Sequence, residues 1–174
     1  MHYFIVTFIG DDQPGFVQSI AAVVSDHDGT WLESRMSQLE GKFAGLARIG
    51  VSKDSALLLK QALLDLSENE FTLSIEDVAE SGAAGKQRYQ LSILGHDRPG
   101  IVHEVTGTLA REQINLLEMS SNVVSAAMTG TPMFSADATV EVTVEVDITA
   151  IDNQLSEIAA ELGVDILLSE LTEH

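Results

Sequence analysis

"GDDQPGFVQSI", residues 10–20, and "GHDRPGIVHEV", residues 95–105, are two versions of one phrase, and the interval between them divides the chain. At a constant offset of 85, residues 3–33 and 88–118 agree at Gly10/Gly95, Asp12/Asp97, Pro14/Pro99, Gly15/Gly100, Val17/Val102, Leu32/Leu117 and Glu33/Glu118. The agreements gather around a single turn, which is the signature of an internal repeat. Before the turn, Phe4, Val6 and Phe8 alternate along "YFIVTFIG", and Tyr89, Leu91 and Ile93 do so in the second copy. Period 2 predicts a strand. After the turn, Phe16, Val17, Ile20, Val23 and Val24 recur at helical spacing, with Gly29 as the stop.

Working outward, "TWLESRMSQLEGKFAGLARIGVS" predicts two strands about a "GK" turn, "ALLLKQALLDLSE" an amphipathic helix, and "FTLSIEDV" a last strand. In the second copy "NLLEMSSNVVS" and "ATVEVTVEV" form the corresponding hairpin, "IDNQLSEIAAEL" a helix and "VDILLSEL" the closing strand. The small residues, Gly130 and Pro132 of "SAAMTGTPMFSAD", residues 125–137, predict a long loop; a tolerated insertion is the default reading, and a flap or partner-docking element, with Met128, Met133 and Phe134 as adaptable contact surface, is the alternative. The order βαββαβ therefore occurs twice. A right-handed crossover with room for an intervening strand predicts a four-stranded antiparallel sheet with both helices on one face. The fold class is α+β, two ferredoxin-like sandwiches in tandem: residues 1–79, a linker at 80–87 ("ESGAAGKQ"), and residues 88–174. On the other sheet face Ile5, Thr7 and Ile9 are greasier than Gln90, Ser92 and Leu94, and are expected to pack on the other repeat or another copy of the chain.

Charge and composition narrow the function classes. The 174 residues carry 27 acidic and 9 basic side chains, a formal charge of −18. Through Lys86 there are 6 basic and 13 acidic residues, and beyond it 3 and 14, so both halves repel phosphate backbones and direct nucleic-acid binding is not expected. The absence of Cys excludes disulfides and thiolate metal sites. No stretch approaches the roughly 18 apolar residues of a membrane span, and "MHYFIVTFIG" lacks a basic leader, so a cytoplasmic location is expected.

The repeated turn has two readings. As structure, Gly10 and Gly95 supply unusual backbone angles, Asp12 and Asp97 accept from first-turn amides, and Pro14 and Pro99 start the helices. As chemistry, the same amides and the helix dipole, approached closely at Gly15 and Gly100, form a seat for a small carboxylate. His96, Asp97, His103 and Glu104 do not form a recognised zinc pattern, and no nucleophile elbow, Cys nucleophile or phosphate loop is present, so neither a metal nor catalysis is expected. Glu33 and Glu118 lie on second strands predicted at sheet edges, where charge discourages stray pairing.

"GHDRPGIVHEVTGTLAREQINLLE" resembles an ACT domain, whose elements are an Asp-Arg-Pro-Gly turn, an amphipathic helix and an Asn opening the second strand. Asp97, Arg98, Pro99, Gly100 and Asn115 match; in the first copy Gln13 replaces the Arg and Thr30 the Asn. The tandem layout without a catalytic domain is similar to the glycine cleavage system transcriptional repressor family. The resemblance implies a non-enzymatic, homo-oligomeric regulator, without a cofactor, that binds a small amino acid such as glycine or serine at domain interfaces. It would act through a protein partner such as a transcription activator. It nominates Arg98, Pro99, Gly100, Ile101 and Asn115, with Asp97 shaping the turn, and Asp12, Gln13, Pro14, Gly15 and Phe16 in the first copy. The alternatives are a ligand-free assembly module or a regulatory subunit of a metabolic enzyme.

Overall fold

The computed structural model describes residues 1–68, 71–79, 86–143 and 146–171, in two compact units, Met1–Gly82 and Ala83–His174. The first contains β1 (His2–Asp11), α1 (Phe16–Asp26), β2 (Thr30–Leu39), β3 (Lys42–Val51), α2 (Ala56–Ser67) and β4 (Phe71–Asp77). The second contains β5 (Lys86–His96), α3 (Ile101–Arg111), β6 (Asn115–Ser125), β7 (Pro132–Thr143), α4 (Ile148–Leu162) and β8 (Val164–Glu170). Each sheet is antiparallel, ordered β2-β3-β1-β4 in one and β6-β7-β5-β8 in the other. Residues 80–85 of the expected linker lie outside the described residues, and β5 already runs from Lys86.

The alternating residues build the cores. Phe4, Val6 and Phe8 pack with Ile20 and Val24 of α1 and Leu59 and Leu63 of α2. Tyr89, Leu91 and Ile93 pack with Val105 and Leu109 of α3 and Ile151 and Leu155 of α4. Each such side chain contributes about 1.5–3 kcal/mol on burial, enough to fix the register of a period-2 strand. On the outer face of the first unit Ile9 remains 49% exposed.

Both first helices end in the same way. Asp28 and Gln113 adopt left-handed φ angles of 56° and 58°, their amides donate to Ser25 and Ala110, and the following amides of Gly29 and Ile114 donate to Val24 and Leu109. This paired 5→2 and 6→1 bonding satisfies the last carbonyls, so the stop expected at Gly29 is made by Asp28, one residue earlier. Gly29 is constrained by space, since a Cβ there would lie 2.8 Å from the Val24 carbonyl oxygen. Just beyond, β2 and β6 bulge at equivalent places, between Trp31 and Glu33 and between Leu116 and Glu118. The shared Leu32/Leu117 and Glu33/Glu118 thus mark a duplicated edge-strand bulge, which blunts pairing with other chains.

Three expectations change. The first hairpin turns at Glu40 and Gly41, with φ of 49° and 78°, rather than at Gly41 and Lys42; two positive φ angles are what a type I′ turn requires. The loop expected at 125–137 shrinks to 126–131, because β7 starts at Pro132, where the expected strand started at Ala138. Phe134 is 8% exposed and lies in the core with Ala136 and Ala138, whereas Met128 is 98% exposed at the hairpin tip. Finally, α4 starts at Ile148 rather than Ile151 because the Asp147 carboxylate accepts from the amides of Thr149 (3.0 Å) and Ala150 (3.4 Å).

Candidate functional site

The repeated turn positions the nominated residues. β1 and β5 run past Gly10 and Gly95, and the next amides, of Asp12 and Asp97, donate to the carbonyls of Gly41 (2.9 Å) and Pro132 (3.0 Å) on the neighbouring hairpins. The central strand of each sheet thereby stays paired to its neighbour until the chain turns towards its helix. The cap residues are Gly15 and Gly100, with φ of 91° and 100°, and no side chain caps either helix. The expected capping by Asp12 and Asp97 is therefore not made, and Pro14 and Pro99 stand before the cap rather than at the first helical position. A left-handed cap glycine redirects the chain by itself, which leaves the first-turn amides without a side-chain acceptor. Gly10 and Gly95 also have a different role from the one expected. Neither has a positive φ; a Cβ would meet the Phe71 Cβ at 2.8 Å or the Val164 Cα at 2.7 Å.

A small cleft opens beside each turn. In the first unit Asp12, Gln13, Gly15, Phe16, Val17, Gln18 and Phe43 line about 290 Å³. The Phe16 ring belongs to the core, edge-on to Phe8, Phe43 and Phe71 with centroids 5.7, 5.8 and 4.8 Å away, so the group it can present to a ligand is its backbone. Ile101 is buried in the same way. In the second unit Arg98, Pro99, Gly100, Glu104, Ile158, Glu161 and Leu162 line about 280 Å³ between the start of α3 and the end of α4. The Arg98 Nη1 donates to the Leu162 carbonyl at 3.0 Å. Neither Glu104 nor Glu161 pairs with it among the described residues.

Electrostatically this cleft is bipolar. The positive end of α3, with Arg98 before it and Glu104 in its own first turn, faces the negative end of α4 and Glu161, and this mixture of charges matches a zwitterion better than a simple anion. Asn115 is not part of it. It opens β6 opposite Glu141, which pairs with Arg88, at the far end of β5 from His96. That span is roughly 27 Å at about 3.4 Å per residue, beyond the reach of one small amino acid. Thr30 stands at the corresponding far end in the first unit, opposite Gly50.

A larger hollow of about 720 Å³ in the second unit is lined by Ser92, Leu94, Asp137, Asp165, Leu167 and, from α4, Ser156 and Ala160, among others. Its charged groups are two carboxylates with no cation, which makes it a poor carboxylate seat despite its size. His96, Asp97, His103 and Glu104 form no metal-binding group among the described residues. No described helix is long and apolar enough to cross a membrane.

ACT-domain family models match residues 2–76 and residues 89–163. The chain is a tandem ACT-domain protein. Its architecture is similar over nearly the full length to that of an unknown protein from Galdieria sulphuraria, with 26% identity, 98% of this chain and 99% of the other covered, and a TM-score of 0.88. A structure named as a candidate glycine cleavage system transcriptional repressor is similar in fold, with 16% identity, 99% and 98% coverage and a TM-score of 0.73. No curated protein matches the chain.

Within this tandem ACT chain, the feature that sequence reasoning missed is the Arg98–Leu162 bond. Its partners are separated by 64 residues, and a backbone carbonyl carries no side-chain signal. The visible hint was that Arg98 stands where the first copy has Gln13, between the shared Asp and Pro of the turn.

Proposed function

We propose that the chain is a non-enzymatic amino-acid sensor that regulates transcription indirectly, by binding a protein partner that itself contacts DNA. The carrying observation is the start of α1 and α3, each at a left-handed glycine with no side-chain cap and a cleft alongside. Asp147 caps α4, and α2, though it too has no side-chain cap, starts at Ser55 in the right-handed region. In the first unit the Phe16 amide already donates to the Gln13 carbonyl at 3.3 Å, so the second unit offers the better seat: amides without a side-chain acceptor at a positive helix end favour a carboxylate, and Arg98 adds a bidentate-capable donor. Glu104 and Glu161 supply acceptors for an ammonium group. The volume suits glycine, serine or a ligand of that size, and the acidity of both halves favours a protein intermediary over direct contact with phosphate. The glycine cleavage direction rests on the family resemblance and on the shared tandem fold.

Asn115 enters this reading through oligomerisation. Because it stands a strand's length from the turn in its own unit, a ligand that touches both needs Asn115 from a second copy of the chain. Calorimetric titration with each standard amino acid, beside Asn115→Ala and sedimentation of both proteins, tests the scheme. A saturable isotherm for a small amino acid, weakened about five- to tenfold in Asn115→Ala for the loss of one hydrogen bond, is expected. No heat across the whole panel removes the sensing function; unchanged affinity in Asn115→Ala removes that residue and the second copy's contribution.

The exposed Ile9 supports a second reading, an assembly module in which the turns serve only the fold. A chain that self-associates but binds no amino acid would favour it.

A further inference from the structure

The Arg98 side chain does more than line a cleft. It leaves the turn that opens α3 and satisfies the Leu162 carbonyl, one of the acceptors that a helix end leaves unpaired. Leu162 is the last residue of α4; Gly163 follows at φ 67° and its amide donates to Ala159, after which β8 begins. Val164 at the start of β8 lies so close to Gly95 that a Cβ there would be 2.7 Å from the Val164 Cα. The α4–β8 corner is thus held by the β5–β8 pairing of Gly95 with Val164 and by the burial of Leu162 and Val164 in the core, and the hydrogen bond from Arg98 ties it to the turn. The first unit has the contact at Gly10 but an uncharged Gln13 in place of the Arg.

A guanidinium binds a carboxylate more strongly than a neutral carbonyl, and both acceptors here compete for the same side chain. We propose that Arg98 is a coupling residue: the carboxylate of a bound amino acid draws the guanidinium away from Leu162, and the released α4–β8 corner reports occupancy of the second unit. This rests on the amino-acid reading above. The differential contact that a population shift requires is then explicit, because the free state has the Arg98–Leu162 bond and the bound state has the Arg98–carboxylate pair. The response is confined to the second unit, since Gln13 offers no charge to exchange.

Amide hydrogen exchange at Leu162 and Gly163 in the full chain, with and without saturating glycine or L-serine, tests this. The ligand should speed exchange there at least fivefold, and Arg98→Gln without ligand should reproduce that rate; Arg98→Met, which has no donor, serves as a second variant should Arg98→Gln fold poorly. Binding heat without any change at Leu162 and Gly163 overturns the coupling while the sensing function stands. Absence of binding heat for either probe and for every other amino acid overturns both. Exchange in Arg98→Gln and Arg98→Met that stays at the wild-type ligand-free rate also overturns the coupling, because the bond then holds nothing in place.

Discussion

Gly95 and Gly100 flank the same turn and are glycine for different reasons. At Gly95 a Cβ would collide with Val164, so Gly95→Ala should cost about 1–3 kcal/mol by overpacking. At Gly100 nothing lies within 4 Å of the Cβ position, and the cost of Gly100→Ala, also about 1–3 kcal/mol, comes from holding Ala at φ 100°. Denaturant unfolding measures both, and a neutral result at either residue contradicts its explanation. The sequence repeats these glycines without distinguishing them, because close approach depends on a strand more than 60 residues away. The Asp97 capping expectation failed for a related reason: a left-handed glycine turns the chain before the carboxylate can reach the amides. Elsewhere a carboxylate does perform local work. Asp77 is held below the usual 3.8 first by its bond to Lys60 and then by His2, whose ring nitrogen lies 2.6 Å away. A depressed carboxylate stabilises the fold above 3.8 and loses that contribution as pH falls through the lowered value. An NMR titration should place the Asp77 midpoint below 3.8, and Lys60→Met should raise it; an unmoved midpoint in that variant would refute the assignment.

At the scale of elements, the first strands and helices were legible because Phe4, Val6 and Phe8 and their counterparts carry strong period-2 contrast. β7 was half legible. Phe134, Ala136, Ala138, Val140 and Val142 all face the core, yet the small alanines beside Gly130 and Pro132 resemble a loop in composition. Phe134→Ala distinguishes the two assignments: a core position predicts a loss of about 3–5 kcal/mol, and a loop position almost none. Caps give a second contrast. Asp147→Ala should cost about 0.5–2 kcal/mol, whereas Asp12→Ala and Asp97→Ala should leave stability nearly unchanged. Thermal melts of the three variants decide this, and a large loss in either turn variant would mean that its carboxylate caps after all.

For the whole molecule, the repeat and the fold class followed from sequence, since pattern survives without coordinates. The candidate site followed only in part. The Arg98–Ile101 turn was found as a motif, but its opening against α4 and its distance from Asn115 depend on the return path of the chain, which no local pattern records. In the proposed function the start of α3, which has no side-chain cap, receives an amino-acid carboxylate. An amide NMR titration of the full chain with glycine, L-serine and then the remaining amino acids tests this most directly. Saturable shifts with one ligand, largest at the backbone amides of Ile101, Val102 and His103, are expected. Flat shifts at those three amides for every ligand, or a bound ligand whose shifts gather elsewhere, would contradict it.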